Sequence, residues 1–185
     1  MIIGLVGKAR SGKDTFASLL PGFERHAFAD ALKDAFAAYH RIPRCWCDGV
    51  DEDGTPIDRE KFWAYHSRRD AGGVMEPVTI RQGLQRFGMA MRDTFGDDFW
   101  LARLVERVGS FRQDIVITDV RFDNEVDLIR GLGGMIVGIF RPECEEVSAH
   151  ASEELANRVA EVADRLIIND GTIDDLRIQA EGLIA

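Results

Sequence analysis

Residues 2–15 read Ile2-Ile3-Gly4-Leu5-Val6-Gly7-Lys8-Ala9-Arg10-Ser11-Gly12-Lys13-Asp14-Thr15. Five apolar residues run without a polar interruption into a glycine, and four residues later Gly-Lys opens a new pattern. An uninterrupted apolar run of this length fits a strand buried on both faces, the kind found inside parallel sheets. The stretch from Asp14 to Leu20 then reads as a helix, stopped by Pro21-Gly22. Strand, glycine-rich turn and helix in that order announce an α/β fold.

The same alternation continues along the chain. Arg25 to Phe28 is a short strand candidate, and Asp30 caps a helix to about His40 with Leu32, Ala35, Phe36 and Tyr39 on one face. From Arg41 to Val78 the text changes: Pro43, Gly49, Gly54, Pro56, Gly72, Gly73 and Pro77 punctuate a charged segment with Trp46, Trp63 and Tyr65, which reads as an insertion or flap. Thr79 caps a helix to about Phe95, and a second helix covers Asp97 to Val108. Asp114 to Thr118 is a buried strand, Asp123 to Leu132 a helix ended by Gly133-Gly134, and Met135 to Phe140 a strand closed by Arg141-Pro142. A helix from about Ser152 to Val162, a strand from Arg165 to Ile168 and a helix from Thr172 to Ile184 complete the reading. The expectation is a parallel sheet of about five strands with helices on both faces.

Composition narrows the function. The 185 residues carry 23 Lys and Arg against 32 Asp and Glu, a net charge of −9, with 45% apolar residues. This suits one domain with a full core. An acidic protein does not grip a long nucleic acid across a broad basic face, because that mode neutralises many phosphates. No apolar run is long enough to span a membrane, and residues 1–6 are too short for a signal peptide's apolar region. Cys45, Cys47 and Cys144 cannot build a disulfide framework, and Cys45-Trp46-Cys47 without a second Cys or His pair is an incomplete zinc corner. The expected compartment is the cytoplasm.

Gly7, four residues, Gly12 and Lys13 have the spacing of a phosphate-cradling loop. The glycines let the backbone wrap an anion, its N–H groups converge there, the helix start adds its positive dipole end, and the lysine ammonium reaches the β- and γ-phosphates. Chance supplies this pattern roughly 0.05 times in a chain of this length. The expected nucleotide-binding residues are Gly7, Arg10, Ser11, Gly12, Lys13, Asp14 and Thr15. Asp14 stands where a hydroxyl that ligates Mg²⁺ normally follows the lysine, and a carboxylate is a hard oxygen ligand suited to the same ion. The Thr15 hydroxyl can bond the α-phosphate. Ile115-Val116-Ile117-Thr118-Asp119 ends a second strand in a carboxylate, where Asp119 would hold a water of the Mg²⁺ shell. Arg121 lies two residues on and, by strand alternation, points the same way.

A second phosphate-capable set lies between the first helix and the third strand. Lys33 sits one turn into the helix begun by Asp30. Arg81, Gln85 and Arg92 share one helix face at spacings of four and seven, and Trp100 follows in the next helix. Two arginines, an amide and an aromatic are what a nucleoside monophosphate pocket needs: charge for the phosphate, an amide for the base edge and a ring to stack on it. No Asn-Lys-x-Asp stretch, as base-reading GTPases need, is present.

Taken in order, the loop 7–15, Phe28-Ala29-Asp30-Ala31-Leu32-Lys33, the helix with Arg81, Leu84-Gln85, Gly88 and Arg92, Trp100, Asp119-Val120-Arg121-Phe122-Asp123-Asn124-Glu125 and His150-Ala151-Ser152-Glu153 resemble the bacteriophage-type deoxynucleoside monophosphate kinases. The resemblance covers nearly the whole chain. It implies a three-layer P-loop NTPase fold with an acceptor-binding insertion: one domain with core 1–40 and 110–185, an acceptor-binding flap over 41–109 and a lid near 141–164. It further implies ATP and Mg²⁺ as cofactors and a deoxynucleoside monophosphate as acceptor, and it admits a homodimer. Lys13 and Arg121 would be catalytic cations with Asp119, and Asp14 and Asp119 the metal residues. Phe28, Asp30, Lys33, Arg81, Gln85, Arg92, Trp100, Asn124 and Glu125 would form the acceptor side. Arg141, His150, Glu153 and Arg158 would be the polar content of the lid, and a phage-encoded protein would work in the host cytoplasm. Two alternatives stand beside it: a small-molecule phosphate kinase like the animal phosphomevalonate kinase, which shares the Ser-Gly-Lys-Asp style of loop, and a nucleotide-binding regulatory module without turnover. The net charge of −9 fits a mononucleotide if Lys13, Lys33, Arg81, Arg92, Arg121 and Arg141 converge on one cleft.

Overall fold

A computed structural model describes residues 1–60, 62–69, 75–109, 113–142 and 158–184. The chain forms two compact units, Met1–Phe28 with Leu104–Ala185, and Ala29–Arg103.

The first unit is built on a parallel sheet. Strand β1 (Ile2–Val6) is buried at all five positions, as its unbroken apolar run requires. It is flanked by β5 (Ile115–Ile117) and β6 (Met135–Phe140), with β2 (Glu24–His26) and β7 (Arg165–Ile168) at the edges, so the order is β2-β5-β1-β6-β7 with every pairing parallel. Ile3 and Leu5 pack with Phe16 and Ala17 of α1 (Lys13–Ser18) and with Leu176 and Ala180 of the terminal helix Ile173–Ile184. Helix Asp123–Gly131 lies against β1 and β6 and buries Val126 and Ile129. Each large apolar side chain sunk into such a core stabilises by about 1.5–3 kcal/mol. The order reverses at β1, and the carboxyl end of that strand is where open α/β sheets bind ligands.

The expected parallel sheet of about five strands with helices around it is present, with small shifts at its ends. β2 stops at His26, whose carbonyl takes the Thr118 N–H at 3.0 Å; the Phe28 amide turns to the side chain of Asp119 at 2.8 Å. The ladder therefore ends two residues before Phe28.

The second unit is helical with one hairpin. Helix α2 (Ala29–His40) begins one residue before Asp30, which sits in the first turn and not at the cap. Its buried stripe is Phe36 and Ala37. Tyr39, expected beside Phe36, is 76% exposed. Segment 41–78 contains a short helix α3 (Arg44–Asp48) and an antiparallel pair, β3 (Phe62–Arg69) with β4 (Met75–Thr79). The pairing shifts register at three places, and Pro77 falls inside β4, so the clean alternation that reveals a strand is missing. Helix α4 (Ile80–Phe95) starts as expected. Thr79 Oγ1 accepts the Gln82 amide at 3.1 Å and Gln82 Oε1 accepts the Thr79 amide at 3.2 Å, a reciprocal cap. Helix α5 (Phe99–Val108) carries the chain back into the first unit.

Helix Asp123–Gly131 is α6, Val159–Val162 is α7 and Ile173–Ile184 is α8. Among the described residues no helix is long and apolar enough to cross a membrane. His150, Glu153, Cys144 and most of the helix expected from Ser152 lie outside the described residues.

Candidate active site

The loop between β1 and α1 crosses the carboxyl end of β6. A Cβ on Gly7 would lie 2.5 Å from the Ile139 carbonyl oxygen, a backbone atom held in the sheet, so no larger residue fits. Gly12 caps α1 at φ +100°, and a Cβ there would lie 2.4 Å from the Asn169 side-chain nitrogen. Arg10 also takes a left-handed conformation, φ +64°, and its side chain is exposed. Inside the turn the Ser11 amide donates to Lys8 O at 3.2 Å, and Lys13 Nζ donates to the carbonyls of Gly7 and Lys8, each at 2.6 Å. The ammonium is thus folded over the loop and bound to two of its carbonyl dipoles. Ser11 is buried, and its hydroxyl has no hydrogen-bond partner among the described residues. Glycine at two sterically closed positions, a lysine folded over the loop and a helix start behind it are the parts a phosphate-cradling loop needs.

Asp14 follows the lysine on the open side, 78% exposed, with Oδ1 3.4 Å from Arg25 Nη2. Thr15 is exposed beside it. Asp119, just past β5, accepts the Phe28 amide on Oδ1 and so links the ends of β2 and β5. Among the described residues no group of three His, Cys, Asp or Glu is placed to hold a metal. One or two carboxylates with substrate phosphates and water are what Mg²⁺ takes, and Asp14 and Asp119 offer that donor type.

Arg121 is exposed, and its backbone is fixed from below. Glu125, 3% exposed, accepts the Arg121 amide at 2.6 Å and the Phe122 amide at 3.1 Å on one carboxylate oxygen. Glu125 therefore caps α6 and sets the turn that presents Arg121; Asn124 is half-buried next to it. Phe28 places its ring in the core. Arg141 is exposed directly after β6, and Arg158 pairs with Glu161 at 3.0 Å and approaches Asp123 at 3.7 Å.

Sequence reasoning missed Asn169. It follows β7, and its Nδ2 donates to Ser11 O at 2.8 Å. The only sequence signal was its place at a strand's carboxyl end in an α/β sheet.

In unit 29–103 the expected acceptor cations all meet carboxylates. Lys33 donates to Asp48 at 2.9 Å. Arg44, from the helix not foreseen, joins Asp34 at 2.6 Å, Asp30 at 3.3 Å and Asp48. Burial pushes the Asp48 carboxyl up, but its bond to Lys33 and the charges of Lys33 and Arg44 outweigh that and hold it below the usual carboxylate range. On α4, Arg81 Nε lies 3.1 Å from Glu60, Gln85 is half-buried, and buried Arg92 reaches Asp97 at 3.3 Å. Trp100, expected to stack on a base, is a core residue. It is 6% exposed, packs edge-on against Phe99 at 4.8 Å and donates its indole N–H to Gly88 O at 3.1 Å. Burial with a satisfied N–H makes it a support for α4 and leaves it no open ring face.

A family model described as deoxynucleotide monophosphate kinase matches residues 66–179. A protein of Acanthamoeba polyphaga mimivirus bearing that family name is 31% identical over 186 residues, spanning 97% of this chain and 93% of its own. The deoxynucleotide monophosphate kinase of Escherichia phage RB69 is 25% identical over 126 residues, which span 65% of this chain and 51% of the phage protein. Among solved structures, the dephospho-CoA kinase of Campylobacter jejuni superposes with a TM-score of 0.51 over 99% of this chain and 94% of that one; at 12% identity the likeness shows the fold alone. A family match over more than half the chain and a relative aligned over nearly all of it agree with the loop at β1, and the chain belongs to the deoxynucleotide monophosphate kinase family.

Proposed function

We propose that this chain transfers the γ-phosphoryl group of ATP to a deoxynucleoside 5′-monophosphate, giving ADP and the deoxynucleoside diphosphate. The observation that carries this reading is the cradle of Gly7, Gly12 and Lys13 at the carboxyl end of β1, in a chain of this family. In it, the loop backbone from Gly7 to Thr15 and Lys13 hold the ATP phosphates. Asp14 and Asp119 would hold Mg²⁺, directly or through water. When bound, that ion would supply positive charge at the phosphate oxygens. Arg121, with Arg10 or Arg141, balances charge on the moving group.

An acceptor phosphate oxygen attacks the γ-phosphorus while the bond to the β,γ-bridging oxygen breaks and ADP leaves. A phosphate monoester is largely a dianion at neutral pH, its second pKa being about 6, so no general base is required. Asp30, Lys33, Arg81, Gln85 and Arg92 serve the acceptor, with Asn124 near it and Glu125 acting through the backbone of Arg121. The protein works in the cytoplasm, and that of the host if phage-encoded. Incubation with ATP, Mg²⁺ and each of the four common deoxynucleoside monophosphates, read by coupled ADP release, is expected to give turnover with at least one. ADP release with none of them would overturn the reading.

A further inference from the structure

The end of β7 is tied to the phosphate cradle in a way that the roles above leave unused. Asn169 continues the β6–β7 ladder by one bond, its amide donating to Phe140 O at 2.8 Å. The residue before it is gripped by α8: Gln179 Nε2 donates to Ile168 O at 3.0 Å, and Gln179 Oε1 accepts the Ile168 amide at 3.3 Å. A side chain carried on backbone fixed at its own amide and at the residue before it is held in place before any ligand arrives. From there Asn169 Nδ2 donates to Ser11 O at 2.8 Å and occupies the space a Cβ on Gly12 would need.

The consequence lies in the Ser11–Gly12 peptide. In a trans peptide plane the C=O and the following N–H point in opposite directions. A donor that captures the Ser11 carbonyl on the β7 side therefore turns the Gly12 N–H the other way. Rotation of this plane would aim a carbonyl dipole where an amide is wanted.

We propose that Asn169 is a positioning residue for the nucleoside triphosphate, fixing the Ser11–Gly12 peptide so that the Gly12 amide faces the phosphates. The inference rests on the reading of the loop as the ATP site. Its test is isothermal titration of ATP, and separately of the accepted deoxynucleoside monophosphate, into the wild-type protein, Asn169→Ala and Asn169→Asp. Ala removes the donor; Asp keeps the shape but sets a carboxylate against the Ser11 carbonyl. ATP binding is expected to weaken about tenfold in Asn169→Ala and about 30-fold or more in Asn169→Asp. Monophosphate affinity should stay within about twofold and the melting temperature within about 3 °C. ATP affinities within twofold of wild type in both variants would overturn the proposal. So would equal losses for both ligands with a falling melting temperature, the mark of a merely structural role. A wild-type protein that binds ATP with this dependence yet transfers nothing breaks the proposed reaction and leaves Asn169's role standing. One that binds no ATP overturns both.

Discussion

Lys13 and Lys33 are both lysines near the start of a helix, and the protein treats them oppositely. Lys13 is held by two backbone carbonyls, whereas Lys33 donates to the Asp48 carboxylate. The pattern extends beyond the pair. In the first unit Arg121 is placed through its own backbone by Glu125, while in unit 29–103 Arg81 and Arg92 meet Glu60 and Asp97. A neutral dipole that steadies a cation cancels none of its charge, whereas a carboxylate that steadies one competes with an incoming anion.

The sharpest way to break that contrast is Lys13→Met. It removes the ammonium proposed to reach the γ-phosphate, and kcat should fall about 10²–10³-fold, the scale of losing one preorganised charge-stabilising donor. Coupled ADP release measures it, and near wild-type turnover would mean that Lys13 carries no such charge role. Gly12→Ala comes next. It places a Cβ at φ +100° against Asn169, costing about 1–3 kcal/mol of stability in urea unfolding. The ATP KM should rise while the acceptor KM holds; equal changes in both would deny that the damage is confined to the cradle.

The contrast also explains what could be read in advance. Gly7 and Gly12 stand at the fixed spacing of a phosphate-cradling loop next to Lys13, so they are visible in the text, and so are the buried run Ile2–Val6 and the Thr79–Gln82 cap. Asn169 stands 158 residues from Ser11, and no local pattern announces that bond. The carboxylate partners in unit 29–103 depend on α3 and on a hairpin whose bulges erase its alternation, so the pairing of Lys33 and Arg44 was hidden with them. Trp100 misled because an aromatic after an arginine-bearing helix suits a stacking platform and a core wedge equally well; burial decides, and burial is a tertiary fact.

A smaller effect sharpens the acceptor half. Glu60 is 59% exposed and pairs with Arg81, so Glu60→Gln should change stability by less than about 0.5 kcal/mol. If Arg81 serves the acceptor phosphate, freeing it from a competing carboxylate should lower the acceptor KM about twofold to threefold, with the ATP KM unchanged. A rise in the acceptor KM would show that the pair instead holds Arg81 in its working position.

The smallest effect is a pH and salt dependence that carries the same contrast into stability. Burial pushes both Asp48 and Asp164 up, yet both carboxyls end below the usual range. Asp48 is lowered by the bond and charge of Lys33 and by Arg44, whereas Asp164 is lowered first by the neutral Ile136 amide and then by Arg130. A depressed native pKa means stability that is present above the unfolded value near pH 3.9 and lost as pH falls through the native one. Both groups are partly exposed, so each contribution should stay below about 1 kcal/mol. Urea unfolding of wild type, Asp48→Asn and Asp164→Asn at pH 7 should show both losses, and near pH 2.5 both should shrink. Raising the salt from about 0.01 M to 1 M at pH 7 shortens the screening length roughly tenfold, from about 30 to 3 Å. That should shrink the Asp48 loss more than the Asp164 loss, because screening acts on charge pairs and hardly touches a bond between a carboxylate and a backbone amide. Equal salt sensitivity would mean that dipoles and charges hold these carboxylates alike, and the distinction drawn between Lys13 and Lys33 would lose its physical basis.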